Sequence, residues 1–474
     1  MDERQIACAV DKWVREHRCE LVDDLKELIA VRSIGEEELE DYPFGKECAQ
    51  AADLFADMGR RYGLTDENDC YYTVSLLQNG EKIQEIAILG HLDVVESGEG
   101  WKRNPFSPWE EKGVVFGRGS LDNKGPLMAA MYALRCIGEL GFPHRSTFRL
   151  IAGCDEEKGM RDIAFYLSRR TAPLFTLICD GAWPVCVGEK GILRAELSLE
   201  IPRCNLLALE GGNAFNQVPD CSSAVLYDFY EDKLAALQRK EPNLHIERMD
   251  SCVRMSVKGK TAHCSTPENG INAILSLLDL LSQNGLIYEE AAHKLSILKK
   301  AFADVDGTGL KIYYADQISG KTTCVPSQIR LENQKLRIGV DIRYPVTRDG
   351  GLVIKQLKRQ CERLGIKVSI LSHERPFSFP VDDPLYKILL GVCERHLSRK
   401  VKPYTTGGVS YARFFPRAVP FGSAYRLPKT LTGCGEPHAA NEGVAVDQLL
   451  EAVKVYVIAL LKLDSYFDNA TFSP

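Results

Sequence analysis

The sequence predicts an α/β domain, a mixed sheet with helices on both faces, interrupted by an inserted α+β domain. Three observations carry this. The first third alternates buried-strand and amphipathic-helix patterns, the order that builds a sheet covered on both sides. The middle switches to the two-residue period of half-buried strands. The end returns to a long apolar helix pattern over 446–461.

In chain order, the helical spacing of Trp13, Leu21, Leu25 and Ile29 opens the protein. The apolar run 86–95 reads as a buried strand carrying His91 at its end. A helix is expected over about 124–140, with the stripe Leu127, Met128, Met131, Leu134 and Ile137. Strands over 147–154 and 174–179 complete this part. Further on, Val253, Met255 and Val257, and later Leu336, Ile338, Val340 and Ile342, alternate with polar residues or glycine. Helical runs over 271–281 and 352–364 follow these strands, and 366–371 is a further strand. This β-α-β-β-α-β-like order places the inserted domain at 187–380, between segments 1–186 and 381–474 of the first domain.

A chain of 474 residues exceeds one ordinary core and implies roughly two or three domains. A hydrophobic fraction of 45% with 26% charged residues describes a globular protein. The net charge, 59 − 65 = −6, gives no reason to expect nucleic acid or an anionic membrane as partner. The N-terminus lacks a basic segment followed by an apolar core, and no apolar run nears the roughly 18 residues of a membrane span. Sixteen cysteines occur without a Cys-x-x-Cys pair. Buried free thiols in a reducing compartment are expected, hence a cytoplasmic location.

The chemistry is concentrated in a few short segments. His91 is followed by Asp93, and a metal-ligating imidazole needs its other ring nitrogen held, often by a carboxylate. Asp122 lies in Gly117-Arg-Gly-Ser-Leu-Asp122-Asn-Lys-Gly125, Glu156 and Glu157 follow the strand ending near Cys154, Asp180 follows Cys179, and His438 stands in Glu436-Pro-His438. His91, Glu156-Glu157 and Asp180 each follow the carboxyl end of an expected strand, where open α/β sheets bind ligands. Alone, each has an ordinary structural explanation: a turn, a helix cap, an acidic loop. Together they supply a donor set for two divalent ions. Asp122, Glu157 and Asp180 bring three negative charges against four positive, and a hydroxide between the metals cancels the remainder. Asp122 between the ions holds them about 3.5–4 Å apart. Glu156 is left to take a proton from water and pass it to a leaving amine.

Three residues of the inserted segment remain open on this evidence. His263, in Gly259-Lys-Thr-Ala-His263, is either an oxyanion donor or a surface-turn histidine. Arg343 either grips a substrate carboxylate or is an exposed strand arginine. Asn216 either bonds substrate or caps a turn.

Gly90-His-Leu-Asp93, Gly117 to Gly125, Asp155-Glu-Glu157, Gly259 to His263 and Pro437-His438-x-x-Asn441-Glu442 resemble the motifs of the aminoacylase/carnosinase family of co-catalytic metallopeptidases (metallopeptidase family 20). Phe106-Ser-Pro108 with Phe116-Gly-Arg-Gly119, Trp183 to Gly191, and Gly407-Gly-Val-Ser-Tyr-Ala-Arg413 look like those of the bacterial PepV-type dipeptidases within it. The resemblance implies a two-zinc exopeptidase catalytic domain with an inserted lid. It implies His91 and Asp180 on one ion, Glu157 and His438 on the other, and Asp122 bridging. It further implies Glu156 as general base, Asp93 orienting His91, and His263 as a catalytic group on the oxyanion. Asn216, Arg343, Tyr411 and Arg413 become substrate contacts. The implied protein is a metal-dependent dipeptidase, monomer or homodimer, using zinc, with manganese or cobalt accepted by the same donors. A deacylase acting on N-acyl amino acids is the alternative.

Overall fold

A computed structural model describes residues 2–36, 39–423 and 434–469. The chain forms two compact units. The first comprises 1–187, 379–404 and 410–474, the second Gly188–Ser378 with Thr405–Val409.

The first unit is built on a six-stranded mixed sheet. Its order is Thr65–Asp69, Thr73–Gln78, Ser146–Gly153, Lys82–His91, Phe175–Ile178 and Ala418–Pro420. The first two pairings are antiparallel and the remaining three parallel. Every residue of Ser146–Gly153 and Phe175–Ile178 is buried, as strands covered on both faces require. The register sets the site: His91 pairs with Gly153 and Leu89 with Ile178. The ends of three neighbouring parallel strands therefore deliver His91, the segment 154–157 and Asp180 to one edge.

Helix Lys124–Glu139 is buried continuously from Lys124 to Ile137, the state of a helix apolar on every side. It packs on the central strands and against the closing helix Val446–Asn469. That closing helix runs beyond the 446–461 expected, because Leu463, Asp464 and Phe467 are also buried. The opening helical pattern resolves into two helices, Glu3–Glu16 and Arg18–Ala30. They break at His17, whose Nδ1 donates to the Trp13 carbonyl at 2.8 Å.

The second unit holds the expected β-α-β-β-α-β-like order, from Cys252–Lys258 through Ala273–Gln283, Thr323–Glu332, Lys335–Tyr344 and Gly350–Arg363 to Lys367–Glu374, inside a larger eight-stranded sheet. Its order is Leu244–Arg248, Cys252–Lys258, Cys221–Tyr227, Leu206–Gly211, Thr323–Glu332, Lys335–Tyr344, Gly191–Glu200 and Lys367–Glu374, antiparallel throughout. Cys221–Tyr227 escapes sequence patterning for a physical reason. Its burial alternates, yet the buried position 222 is a serine, its hydroxyl donating to the Glu210 carbonyl at 2.8 Å. Helices Ala273–Gln283 and Glu289–Ala301 pack together and bury leucines against the sheet. The return of 405–409 to this unit was not anticipated. It is fixed by the Lys190 N–H donating to the Thr406 carbonyl and by Arg343 donating to the Gly407 carbonyl.

Among the described residues, no helix is long and apolar enough to cross a membrane. None of the sixteen cysteines is in a disulfide.

Candidate metal centre

Five of the expected ligands meet at the sheet edge of the first unit. His91 Nε2 lies 3.1 Å from Asp122 Oδ1 and 3.8 Å from Asp180 Oδ2. His438 Nε2 lies 3.2 Å from Asp122 Oδ2 and 2.9 Å from Glu157 Oε1. Asp122 thus presents one oxygen to each histidine, the arrangement expected of a carboxylate shared by two ions. Two donor groups, His91 with Asp122 and Glu157, and His91 with Glu156 and Asp180, keep their ligand atoms within 4.8 Å of one another.

The sequence explains the approach. The strand Lys82–His91 ends buried, and a side chain at Gly90 would come within 2.3 Å of Asn123 Oδ1 and 2.6 Å of Cys179 Sγ. Only glycine lets the strand end pass beneath the Asp122 loop. His91 is fully buried, and its Nδ1 lies 2.9 Å from the Asp93 carbonyl. A carbonyl only accepts, so Nδ1 carries the proton and Nε2 is left as the ligand atom.

Asp93 does more than orient the ring, and partly otherwise than expected. Its carboxylate is 3.4 Å from His91 Nδ1, farther than its own carbonyl. Its two oxygens instead accept the backbone N–H groups of Glu156 at 3.2 Å and Glu157 at 3.0 Å. One buried carboxylate therefore ties the loop carrying Glu156 and Glu157 to the histidine strand. Asp162 supports the same loop from behind. Its Oδ2 accepts the N–H groups of Cys154 and Asp155 and the Tyr411 hydroxyl, at 2.8, 2.9 and 2.6 Å.

That last contact corrects one assignment. Tyr411 is fully buried and its hydroxyl is committed to Asp162, so it braces the loop and is not a substrate contact. Arg413 follows in the same 3₁₀ turn, Tyr411–Phe414, half-buried.

The electrostatics of the cluster suit a cation. Burial and the nearby Asp180 hold the Glu156 carboxyl well above the usual range. Burial and Asp122 push Asp180 up to about 7. Hydrogen bonds from the histidines hold Asp122 low against the opposing effect of burial. His438, bonded to Asp122 and Glu157, is raised to about 11. Acidic groups this crowded call for positive charge, and two imidazole nitrogens with several carboxylate oxygens suit zinc, manganese or cobalt.

In the second unit, the structure brings together two of the three residues left open, Asn216 and His263. Gln217–Val218 pairs with Ala262–His263, and the Asn216 carbonyl accepts the Cys264 N–H at 2.9 Å. Asn216 and His263 are both exposed. The ladder rests on the small core of Val218, Cys264 and Val325. The Ser265 N–H points at His263 Nδ1 at 3.2 Å. Nδ1 is then an acceptor and Nε2 carries the proton of the neutral ring. Arg343 is buried, not the exposed strand residue its alternation suggested. It grips Asp341 through Nε and Nη2 at 2.5 and 2.8 Å and the Gly407 carbonyl through Nη1 at 2.8 Å. These bonds use three of its five donors.

The chain's relatives fit this geometry. Residues 87–462 match the model of Peptidase family M20/M25/M40. A Beta-Ala-Xaa dipeptidase of Lactobacillus delbrueckii subsp. lactis is 30% identical over 456 residues, covering 94% of this chain and 96% of that protein. Human carnosine dipeptidase 1 superposes with a TM-score of 0.58 at 16% identity, over 97% of this chain and 99% of that one. A metallo-carboxypeptidase from Sulfolobus solfataricus gives 0.58 at 17% identity, over 94% and 99%. With a family model spanning the histidine strand through the closing helix, and the paired histidine–carboxylate centre in place between them, this chain belongs to Peptidase family M20/M25/M40.

Proposed function

We propose that the protein is a metal-dependent dipeptidase that hydrolyses the peptide bond of free dipeptides. The observation that carries this is the convergence of His91, Asp122, Glu157, Asp180 and His438 on one edge with Glu156 beside them. The dipeptidase named among its full-length relatives supports the substrate class.

Two bound divalent ions, zinc in our reading, would be held by His91 and Asp180, by Glu157 and His438, and by Asp122 between them. Such ions lower the pKa of bound water to about 7 and polarise a carbonyl. The remaining work belongs to the protein. Glu156 accepts the proton of the attacking water on its carboxylate and returns it to the leaving amine. Asp93 fixes both the ring of His91 and the backbone of Glu156, so base and ligand keep one geometry. His263 donates from Nε2 to the oxyanion, consistent with the tautomer that Ser265 selects. Asn216 and Arg413 contact the substrate, and the spare N–H groups of Arg343 receive its terminal carboxylate. The absence of disulfides suits a cytoplasmic enzyme.

The test is hydrolysis of Ala-Ala, β-Ala-His, N-acetyl-Ala and a tetrapeptide by protein loaded separately with zinc and manganese, each with a chelator control. Chelator-sensitive cleavage of the two dipeptides alone is expected. Cleavage of N-acetyl-Ala alone would make the protein a deacylase. Equal rates on the tetrapeptide would exclude a dipeptidase.

A further inference from the structure

The segments carrying Asp122 and His438 lie more than three hundred residues apart in sequence, yet both must hold sub-ångström positions around one ion. Glu442 joins them. Its side chain is fully buried, and Oε1 accepts the backbone N–H groups of Leu121 at 2.8 Å and Asp122 at 3.0 Å. Oε2 accepts Arg118 Nη1 at 2.5 Å. Arg118, 1% exposed, extends Nη2 to the His438 carbonyl at 3.2 Å and to the carbonyls of Ser97 and Glu96 at 3.2 and 3.3 Å. An unbroken path thus runs from the Asp122 N–H through Glu442 and Arg118 to the His438 carbonyl.

His438 needs such a hold. Its φ is +63° and that of Asn441 is +60°, in the left-handed region that costs a non-glycine residue energy unless its surroundings enforce it. A fully buried ion pair is also a poor stabiliser, because desolvation consumes most of the attraction. What this pair supplies is fixed geometry: its donors and acceptors end on the backbones of two ligand segments.

We infer that Glu442 and Arg118 are positioning residues that fix the backbones of Asp122 and His438, and with them the metal site these share with Glu157; the ring of His91 is oriented by Asp93, outside this path. This rests on the ligand assignment above. Residues that orient ligands typically contribute about 10–100-fold to metal affinity.

The experiment is calorimetric zinc titration of metal-free protein: wild type, Glu442→Gln and Arg118→Lys, with circular dichroism of each metal-free form. Glu442→Gln keeps an acceptor oxygen but loses the charge facing Arg118. Arg118→Lys keeps the charge but loses the forked reach to His438. Wild type is expected to bind two zinc ions. Each variant should lose about 10–100-fold in affinity at the site that includes His438, and less at the other, which shares only Asp122 with it. Dipeptide kcat should fall at limiting zinc and return as zinc is raised, with KM unchanged. Wild-type affinities at both sites in both variants would overturn the inference and leave the ligand assignment standing. Equal loss at both sites, or a changed metal-free dichroism spectrum, would show a general structural role and overturn it too. A wild type that takes up no zinc would defeat the ligand assignment itself, and this inference with it.

Discussion

At the scale of single residues, adjacent carboxylates here have different surroundings. Glu157 lies 2.9 Å from His438 Nε2. Glu156, next in the chain, lies instead with His91 and Asp180 and is pushed up by burial and by Asp180. The proposed role of Glu156 as base, apart from the ligands, predicts that it can be removed without removing the site. Glu156→Gln should lower kcat about 10²–10⁴-fold and leave zinc stoichiometry at the wild-type value, read by metal analysis of the purified variant. Loss of one metal equivalent along with activity would make Glu156 a ligand. Asp93, Glu156, Glu157 and Asp180 were legible as chemistry in the sequence, because each lies in or follows a recognisable apolar run, whereas His438 was legible only through its Glu436-Pro-His438 motif. Glu442 stood in a motif without a role, since its partners at 118 and 121–122 are neighbours only in space.

At the scale of elements, helix Glu3–Glu16 is anchored by its first residue. The Glu3 carboxylate meets Arg395 Nε and His396 Nε2, each at 2.7 Å, and Lys462 Nζ at 2.8 Å. These ties join the N-terminal helix to helices Pro384–His396 and Val446–Asn469. Burial works to raise the Glu3 pKa, but the bonds from Lys462, His396 and Arg395 prevail and hold it at about 2, against an ordinary 4.5. A depressed carboxylate stabilises the fold above its unfolded pKa, and that contribution is lost as pH falls through its folded one. Glu3→Gln should therefore cost up to about 1 kcal/mol at pH 7, since the cluster is partly open to solvent. It should also flatten the loss of stability between pH 4.5 and 2, measured by urea unfolding across that range. An unchanged acid limb would remove Glu3 from the balance. Some helix boundaries were readable, but not the end of Val446–Asn469 or the break at His17, where the side-chain Nδ1 joins the His17 N–H on the Trp13 carbonyl without any proline or glycine to announce it.

At the scale of the whole molecule, the two compact units carry different chemistry. The candidate metal ligands lie entirely in the first, His91, Glu157 and Asp180 at or after the strand ends 91, 153 and 178, and Asp122 and His438 in turns. Metal that binds only the folded state stabilises it, by about 2.7 kcal/mol at a hundredfold excess over Kd. Zinc should accordingly slow amide hydrogen exchange in Lys82–His91, Ser146–Gly153 and the loop 154–157. It should leave Lys335–Tyr344 and Gly191–Glu200 of the second unit unchanged. Equal protection in both units would mean that they unfold as one.

The sequence by itself determined the elements that announce themselves locally. These are the buried strand ending on His91, the apolar helix after Asp122, the half-buried strands of the second unit, and the residue types able to hold two cations. Apolar periodicity and strand-end placement are properties of neighbouring residues, so they survive in one dimension. The tertiary structure alone decided what depends on partners distant in the chain. It gave the second unit an eight-stranded sheet, one strand of which, Cys221–Tyr227, has its period hidden by a buried serine bonded to a carbonyl. It buried Arg343 against Asp341, and turned Tyr411 from a proposed substrate contact into the brace of Asp162. It also placed Glu442 between Asp122 and Arg118. A buried polar group must find its hydrogen-bond partner wherever the fold brings one.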